Sequence, residues 1–441
     1  MAKAATALGL DLGTSYIKAV EIHTGREGLE LAAAAALPVP TGAMEGGLIT
    51  DADALAGAIA DLLSSAPFSN RKTIVSISGQ AAAVTRVIDM ERMTAKDLAT
   101  TMKMDLERHV PFPADEVETD FQAVPGGEDQ PTMKVVLAAA QKEAIEAELT
   151  VVKKAKLTTV GIEVPPTAAG RAIMLTQESG QWGDGSGKTI AVVDMGFSGT
   201  TLSVFSNGGL TFVRGLNIGS DNINRAITNE FTIDREEAER IKCDFGIVLI
   251  EDESGEGGGI GFGAMGDYTA PGAPSTGPAA YQDTVDGPQF DLPEDDDFSL
   301  PGGGVQGLEP KAPEPEAPAP APEPAPVAEA PGWDVPQDET MAALGEVITP
   351  IISDLVAELE RSLEFYQSRN PDHEVVKVFL TGGMTGLRNL ALYVQGQLGL
   401  PVIIADVTAG MKLGPKVDPE QARKLSPLLA VATGLAVRDL Y

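Results

Sequence analysis

The chain is poor in cysteine, histidine and positive charge. Cys243 is the one cysteine among 441 residues, so no intramolecular disulfide can form, which fits a reducing compartment. The three histidines are scattered and show no metal-ligand spacing. A net charge of −32 excludes the cationic surface that non-specific nucleic-acid binding needs. We therefore expect no nucleic-acid partner.

Long apolar runs are also lacking. No stretch reaches the roughly 18 consecutive apolar residues of a membrane span, and no basic and apolar signal region precedes the first predicted strand. The C-terminal end has no basic amphipathic helix. We therefore expect a cytoplasmic protein that reaches a membrane only through partner proteins.

Acidic residues, proline and glycine concentrate in one segment. Residues 246–339 contain 20 Asp and Glu but one basic residue, Lys311. Such a composition cannot bury enough apolar surface to offset the entropy of ordering. We predict a disordered acidic Gly/Pro-rich insert at 246–338, with a polyproline II half, and favour a solvated linker over a binding motif.

Two short segments share one sequence pattern. Asp-Leu-Gly-Thr-Ser at 11–15 and Asp-Met-Gly-Phe-Ser at 194–198 each lie between two apolar runs, which predicts two β-hairpins with a carboxylate and a glycine at each tip. A single such tip is typical of an ordinary surface hairpin with an Asx turn. A pair, one at the start of each of two related lobes, predicts a phosphate held from both sides.

The chemistry of these tips assigns a role to each residue type. Asp11 and Asp194 are the candidate Mg²⁺ ligands, directly or through water. Backbone N–H groups, hydroxyls and one ammonium would surround the phosphates. The candidate phosphate-binding residues are Gly13, Thr14, Ser15, Lys18, Gly196, Ser198, Gly199 and Thr200.

A third candidate loop follows a later predicted strand. Gly382, Gly383 and Met384 would let the backbone lie flat against a nucleobase or phosphate at the start of a helix at 387–398. Glu239 and Lys242, on a helix at 235–242, would flank a ribose and base, although their pattern alone favours a solvated charged face. The glycine-rich run at 183–189 lacks the Walker spacing and precedes a strand, so it is not a P-loop.

The pattern of helices and strands divides the chain into lobes. We expect an α/β fold of two lobes with a small α+β insertion. The predicted divisions are a first lobe at 1–80, an inserted subdomain at 81–158, a return to the first lobe at 159–188, a second lobe at 189–245, the disordered insert at 246–338, a continuation of the second lobe at 339–427 and a C-terminal helix at 428–441.

The order of these pieces resembles the actin-like ATPase superfamily. Its five motifs, named phosphate 1, connect 1, phosphate 2, adenosine and connect 2, correspond here to 10–18, 163–172, 193–204, 380–387 and 428–437. Within it, the chain resembles the PilM family of type IV pilus assembly proteins, which is related to the division protein FtsA. His-Val-Pro-Phe-Pro at 109–113 is the more family-specific part.

This resemblance implies an ATP-binding scaffold with Mg²⁺ between the lobes. It also implies binding of the N-terminal cytoplasmic tail of a PilN-type protein, in a groove between the first lobe and the inserted subdomain. Other platform proteins and motor ATPases are further candidate partners, and pilus biogenesis, twitching motility and DNA uptake are the processes that would depend on the scaffold. An FtsA-like division protein and a small-molecule kinase are the alternatives.

The expected activity is nucleotide binding with slow or absent hydrolysis. In relatives such as the DnaK-type chaperones, connect 1 carries a glutamate that orients the attacking water. The corresponding residue here is Pro165, which has no side-chain acceptor, and Glu163 lies about 6.6 Å further back along the strand. No catalytic residue is therefore assigned.

Overall fold

The computed structural model describes residues 7–25, 28–77, 79, 81–126, 130–176, 188–250 and 337–440. Most of the predicted acidic insert and the glycine-rich run at 183–187 lie outside the described residues. Residues 246–250, assigned to the insert from sequence, are instead packed: Ile247 and Val248 are 2% and 0% exposed. Because these two apolar side chains fill the second-lobe core, the ordered chain extends beyond the predicted boundary.

The first lobe is built around the first predicted hairpin. Its elements before the insertion are β1 (Ala7–Leu12), β2 (Tyr16–Gly25), β3 (Gly28–Pro38), β4 (Met44–Glu45), β5 (Leu48–Ile49), α1 (Ala52–Ser65) and β6 (Lys72–Ser76). Asp51 caps α1, since its carboxylate accepts from the N–H groups of Asp53 and Ala54. β1 pairs antiparallel with β2 and parallel with β6, which places the hairpin in the middle of the sheet.

A small α+β unit follows β6. It comprises β7 (Ala83–Glu91), α2 (Ala95–His109), β8 (Val117–Ala123), β9 (Thr132–Gln141) and α3 (Lys142–Lys154). The strands form an antiparallel sheet in the order β7-β9-β8. Thr94 caps α2, because its hydroxyl accepts from the Asp97 N–H.

The chain then returns to the first lobe and enters the second. The next elements are β10 (Thr158–Glu163), α4 (Pro165–Thr176), β11 (Thr189–Met195), β12 (Thr200–Ser206), β13 (Gly209–Leu216), α5 (Ser220–Phe231) and α6 (Arg235–Phe245). The second predicted hairpin is β11-β12, paired in register from Thr189 opposite Ser206 to Met195 opposite Thr200.

The second lobe continues after the undescribed segment. Its further elements are α7 (Gln337–Arg369), β14 (Val375–Thr381), α8 (Leu390–Leu398) and β15 (Val402–Ile404), and the last elements of the chain are β16 (Lys412–Leu413), α9 (Pro419–Leu425) and α10 (Ala430–Ala436). The two large sheets have the orders β10-β6-β1-β2-β3-β16 and β13-β12-β11-β14-β15. Each large sheet therefore carries one hairpin near its centre.

α7 is the one helix among the described residues that is long and apolar enough to cross a membrane. An 18-residue window within Glu339–Arg369 has a mean hydropathy of 1.4, and 39% of that window is buried. The buried stripe, which includes Leu344, Ile348 and Ile352, packs into the second-lobe core against α5 and α6. The stripe matches the apolar spacing of the sequence, and α7 acts here as a core helix.

Two predicted helices are shorter than expected. Residues 383–386 form a 3₁₀ turn, and α8 begins only at Leu390, because Asn389 adopts a left-handed φ of 63° that interrupts the helix. The single helix predicted at 428–441 is divided into three elements over the described residues: a 3₁₀ turn at Ser426–Leu429 with Pro427 near its N-terminus, then α10, then a 3₁₀ turn at Arg438–Leu440.

α4 and α10 cross at very short distance where the lobes meet. A Cβ added at Gly434 would lie 1.8 Å from the carbonyl oxygen of Ala168, so only glycine fits there. The Arg171 guanidinium of α4 donates to the Gly434 carbonyl at 2.8 Å. This crossing holds the first-lobe and second-lobe sheets together.

Candidate functional site

Asp11 lies at the C-terminal end of β1 and is held by two neighbours. Lys18 is directly opposite in the hairpin register, with its Nζ 2.6 Å from Asp11 Oδ2. The Ser76 hydroxyl, at the end of β6, donates to Oδ1 at 2.6 Å. Asp11 is only 4% exposed. The carboxylate is therefore fixed in orientation, with a cation beside it.

Asp194 occupies the same place in the second hairpin. It pairs in register with Thr201 on one side and Thr381 on the other, and the Thr381 hydroxyl donates to its Oδ1 at 3.1 Å. Burial raises the pKa of Asp194 above its ordinary value; the charge of Lys18 opposes that rise and the charge of Asp11 adds to it. The two aspartates and the lysine therefore belong to one electrostatic site.

The tips of the two hairpins meet. The hydroxyl oxygens of Thr14 and Ser198 are 3.5 Å apart, although 184 positions separate them in sequence. Both tips are tight turns: the Gly13 N–H donates to the Tyr16 carbonyl at 3.1 Å and the Gly196 N–H to the Gly199 carbonyl at 3.0 Å. Hydroxyl donors from both lobes thus converge beside Asp11 and Asp194.

Not every candidate phosphate ligand is available at the tips. Thr200 is 1% exposed, and its hydroxyl donates to the Ile218 carbonyl at 2.7 Å. That bond fixes the second tip against the start of α5, where the Ser220 N–H donates to the Gly196 carbonyl at 3.1 Å. Thr200 supports the loop in this structure.

The third loop approaches the second tip closely. Gly382 has φ of 91°, and a Cβ on it would lie 2.5 Å from the Met195 carbonyl oxygen, so the backbone passes directly over the end of β11. The next residue, Gly383, continues the bare backbone. Met384 is 2% exposed and belongs to the second-lobe core, so its side chain supports this loop from below.

Glu239 and Lys242 do not form the solvated face that their pattern favours. Lys242 is 7% exposed and donates to the Ser220 hydroxyl at 2.5 Å and to Glu239 Oε2 at 2.7 Å. The Asn224 amide donates to the same Glu239 oxygen at 2.5 Å. Burial alone would raise the pKa of Glu239, but Lys242 and these hydrogen bonds lower it below its ordinary value. α5 and α6 therefore present a preorganised ion pair.

Glu163 at the end of β10 is already engaged. Its carboxylate accepts from Arg171 at 2.7 Å and 3.1 Å and from the Thr167 hydroxyl at 2.7 Å. Pro165 is the first residue of α4. Both oxygens of the carboxylate in the connect 1 segment are therefore hydrogen-bonded to side chains of α4.

Several residues of the site carry no motif in the sequence. Ser76, Ser220 and Asn224 hold Asp11, Lys242 and Glu239, and each lies on a different element from the residue that it supports. Only its place at the end of a buried strand beside the first hairpin could have identified Ser76 from the sequence.

Among the described residues, no group of three or more His, Cys, Asp or Glu could hold a metal ion alone. Two carboxylates suit Mg²⁺, which keeps several waters and takes oxygens from phosphate.

Two α/β lobes, each with a hairpin tip at the junction and joined by crossing helices, define the actin-like ATPase fold. The family model for "Type IV pilus assembly protein PilM" matches residues 9–247 and 336–440. The chain belongs to this PilM family.

Two relatives illustrate the similarity. The chain is 24% identical over 270 residues to the cell division protein FtsA of Bacillus subtilis, an alignment that covers 56% of this chain and 59% of that protein. It thus spans about three-fifths of that curated relative. The solved PilM-PilN type IV pilus biogenesis complex contains a chain with 23% identity and a TM-score of 0.69, covering 99% of both chains.

Proposed function

We propose that this protein binds ATP with Mg²⁺ between its two hairpins and serves as a nucleotide-dependent scaffold of the type IV pilus inner-membrane platform. The observation that carries the nucleotide site is the convergence of Thr14 and Ser198 at 3.5 Å beside two aspartates. Family membership supports the pilus role.

The residues present suit a magnesium triphosphate. Backbone and hydroxyl donors at Gly13, Thr14 and Ser15 would take it from one side, and those at Gly196, Ser198 and Gly199 from the other. Lys18, which now neutralises Asp11, would share its charge with the phosphates. When bound, the metal neutralises phosphate charge, and Asp11 and Asp194 would hold its waters.

The nucleoside would lie towards the second lobe. Glu239 and Lys242 are fixed by Asn224 and Ser220 and would meet the ribose and base. The backbone at Gly382 and Gly383 would cover the base or an adjacent phosphate. This arrangement assigns the phosphates to both lobes and the nucleoside to the second lobe.

The partner we propose is a PilN-type protein, because the solved complex to which this chain is similar pairs PilM with PilN. Its N-terminal cytoplasmic tail is the segment that would bind. We place the tail between the first lobe and the inserted sheet, and the protein in the cytoplasm at the inner membrane. Nucleotide would change the angle between lobes, and that angle would change the affinity for the tail.

Calorimetric titration of the full chain with ATP, with and without Mg²⁺, tests the nucleotide site. We expect Asp11→Asn and Asp194→Asn each to weaken Mg²⁺-dependent binding by about tenfold or more, equivalent to ~1.4 kcal/mol. Asp53→Asn, whose side chain is 84% exposed, is the matched control and should bind as the unchanged chain does. Absence of ATP binding by the unchanged chain would refute the site.

A synthetic PilN-type tail tests the scaffold. Immobilised tail should retain the full chain, and ATP should change the amount retained. A scrambled tail of the same composition is the control. If the chain is retained by neither the tail alone nor the tail with ATP, the scaffold role is wrong.

A further inference from the structure

The inserted three-stranded sheet has two different faces. One face is covered by α2: Val135 and Leu137 of β9 are fully buried in a cluster with Leu98 and Met102 of that helix. Because side chains alternate along a strand, the neighbouring residue Val136 points to the opposite face. There it is paired directly with Val87 of β7.

One end of this second face is attached to the first lobe. Ala83 of β7, together with Ala138 and Ala140 of β9, joins a cluster with Ile77 and Val164. Ile77 follows β6 and Val164 follows β10, so the contact is with the edge strand β10 of the first-lobe sheet and its neighbour β6. This end of the inserted sheet is the anchored one.

The other end of the same face meets the second lobe. Val87 and Val136 pack against the core cluster that contains Leu210, with Val213 at its margin, and β13 lies against both β7 and β9. The loop after β8 takes part as well. A Cβ added at Gly209, the first residue of β13, would lie 2.4 Å from Val124 Cγ1.

We propose that the inserted sheet couples the two lobes mechanically, and we call it a coupling strut. Its contact with β13, made by Val87, Val136 and Val124, links the lobe angle to the partner site between the first lobe and the inserted sheet. This inference rests on the proposed function and adds the element that transmits the signal. Because one face of a single rigid sheet is docked on both lobes, the lobes cannot rotate about the α4–α10 crossing without breaking or shifting one of its two contacts.

The second-lobe contact is the one that gives way. On the inserted sheet, Val87 and Val136 at the second-lobe contact are only partly buried, whereas Ala140 at the first-lobe contact is buried, as are Ile77 and Val164 beside it. Undocking from β13 therefore exposes less new apolar surface than leaving the first lobe would. A nucleotide that favours one docked state changes the affinity for the tail. Because binding free energies are reciprocal, the tail changes the affinity for the nucleotide by the same factor.

A reversible disulfide across the contact tests the strut. In a Cys243→Ser background, Val124→Cys and Gly209→Cys would place one sulfur near the present Val124 Cγ1, within reach of the residue at 209. We expect the bond to form on mild oxidation. ATP should then change tail affinity by less than about twofold in the oxidised protein, and reduction should restore the several-fold effect seen in the Cys243→Ser reference.

A second variant tests the same contact without a crosslink. Val87→Thr with Val136→Thr keeps shape and strand propensity but places hydroxyls in the apolar contact. The factor by which ATP changes the affinity for the tail should be smaller in this variant than in the unchanged protein. Val160→Thr is the matched control, because this valine lies on β10 with 52% of its surface exposed.

The outcomes separate the strut from the proposed function. Failure of the disulfide to form, or an ATP effect that is equal in the oxidised and reduced protein, would overturn the strut while both ligands still bind. A reference protein that binds neither ATP nor the tail would overturn the proposed function, and the coupling with it.

Discussion

Two buried glutamates, Glu21 on β2 of the first lobe and Glu148 on α3 of the inserted unit, show how local partners decide the state of a carboxyl group. Glu21 is 0% exposed and accepts from the N–H groups of Ser69 and Asn70 at 2.7 Å and 3.1 Å. Burial alone would raise its pKa, but these bonds and one from His23 lower the pKa below its ordinary value. Glu148 is 7% exposed, and its Oε2 has no hydrogen-bond partner among the described residues. Burial, reinforced by the charge of Asp11, raises its pKa well above the ordinary value.

These opposite shifts predict opposite effects of substitution by glutamine. A raised carboxyl pKa makes the folded state lose stability as pH rises from the ordinary Glu value towards the folded pKa. Glu148→Gln removes that loss, so we expect a gain on the order of 1 kcal/mol at pH 8 that disappears near pH 4. Urea unfolding between these pH values, without nucleotide or Mg²⁺, measures it.

Glu21→Gln is the comparison in the same experiment. A lowered carboxyl pKa gives stability that is present above the ordinary Glu value and is lost as pH falls through the folded pKa. We expect this variant to lose about 1–3 kcal/mol at pH 8 and less in acid. A loss at pH 8 for Glu148→Gln as large as that for Glu21→Gln would contradict the assignment.

Among the elements, the crossing of α4 and α10 is the tightest helix contact that involves both lobes. Backbone rather than side chain forms it, since Gly434 faces the Ala168 carbonyl directly. Arg171 joins the same crossing, because it donates to the Gly434 carbonyl and is held by Glu163. The lobe angle therefore depends on how closely these two helices approach.

We predict that Gly434→Ala separates the two helices. The added Cβ would lie 1.8 Å from a carbonyl oxygen, so overpacking should cost about 1–3 kcal/mol or more in stability and weaken ATP binding. Gly396→Ala in α8 is the matched control, because nothing lies within 4 Å of its added Cβ. There the helix should gain ~0.5–1 kcal/mol. Thermal unfolding and ATP titration of both variants test this prediction. Equal stability and equal ATP affinity in the two variants would contradict the importance of the close helix crossing.

Elements with strong local signals could be predicted from the sequence. The Asp51 and Thr94 caps, the two hairpins and the apolar stripe of α7 all depend on residues a few positions apart. β8 was missed because most of Val117–Ala123 is exposed, so no alternation of apolar residues marks it. The burial of Lys242 depends on Ser220 in another helix, and the meeting of Thr14 with Ser198 depends on the packing of two lobes. Such contacts between distant segments leave no periodic pattern in the sequence.

At the scale of the whole molecule, the site has the parts to hold a nucleotide but lacks a free carboxylate near the first connecting segment. Glu163 accepts three hydrogen bonds from Arg171 and Thr167. Arg438, the first residue of the last 3₁₀ turn, adds a guanidinium 3.8 Å from the second oxygen of Glu163. Thr167, Arg171 and Arg438 therefore surround the oxygens that would have to orient an attacking water.

We therefore predict tight ATP binding without appreciable turnover. Phosphate release, measured beside calorimetric ATP binding on the same full-chain preparation, should stay far below about one per second, the low end of ordinary enzyme turnover. Asp194→Asn is the control for contaminating ATPases, because release that survives loss of Mg²⁺-dependent binding does not come from this site. Site-dependent release at or above that rate would mean that another group activates water, and the lobe angle would then follow a hydrolytic cycle instead of simple occupancy. With slow release, the proposed nucleotide would set the lobe angle as an equilibrium ligand, and its concentration would control the affinity for the proposed partner tail.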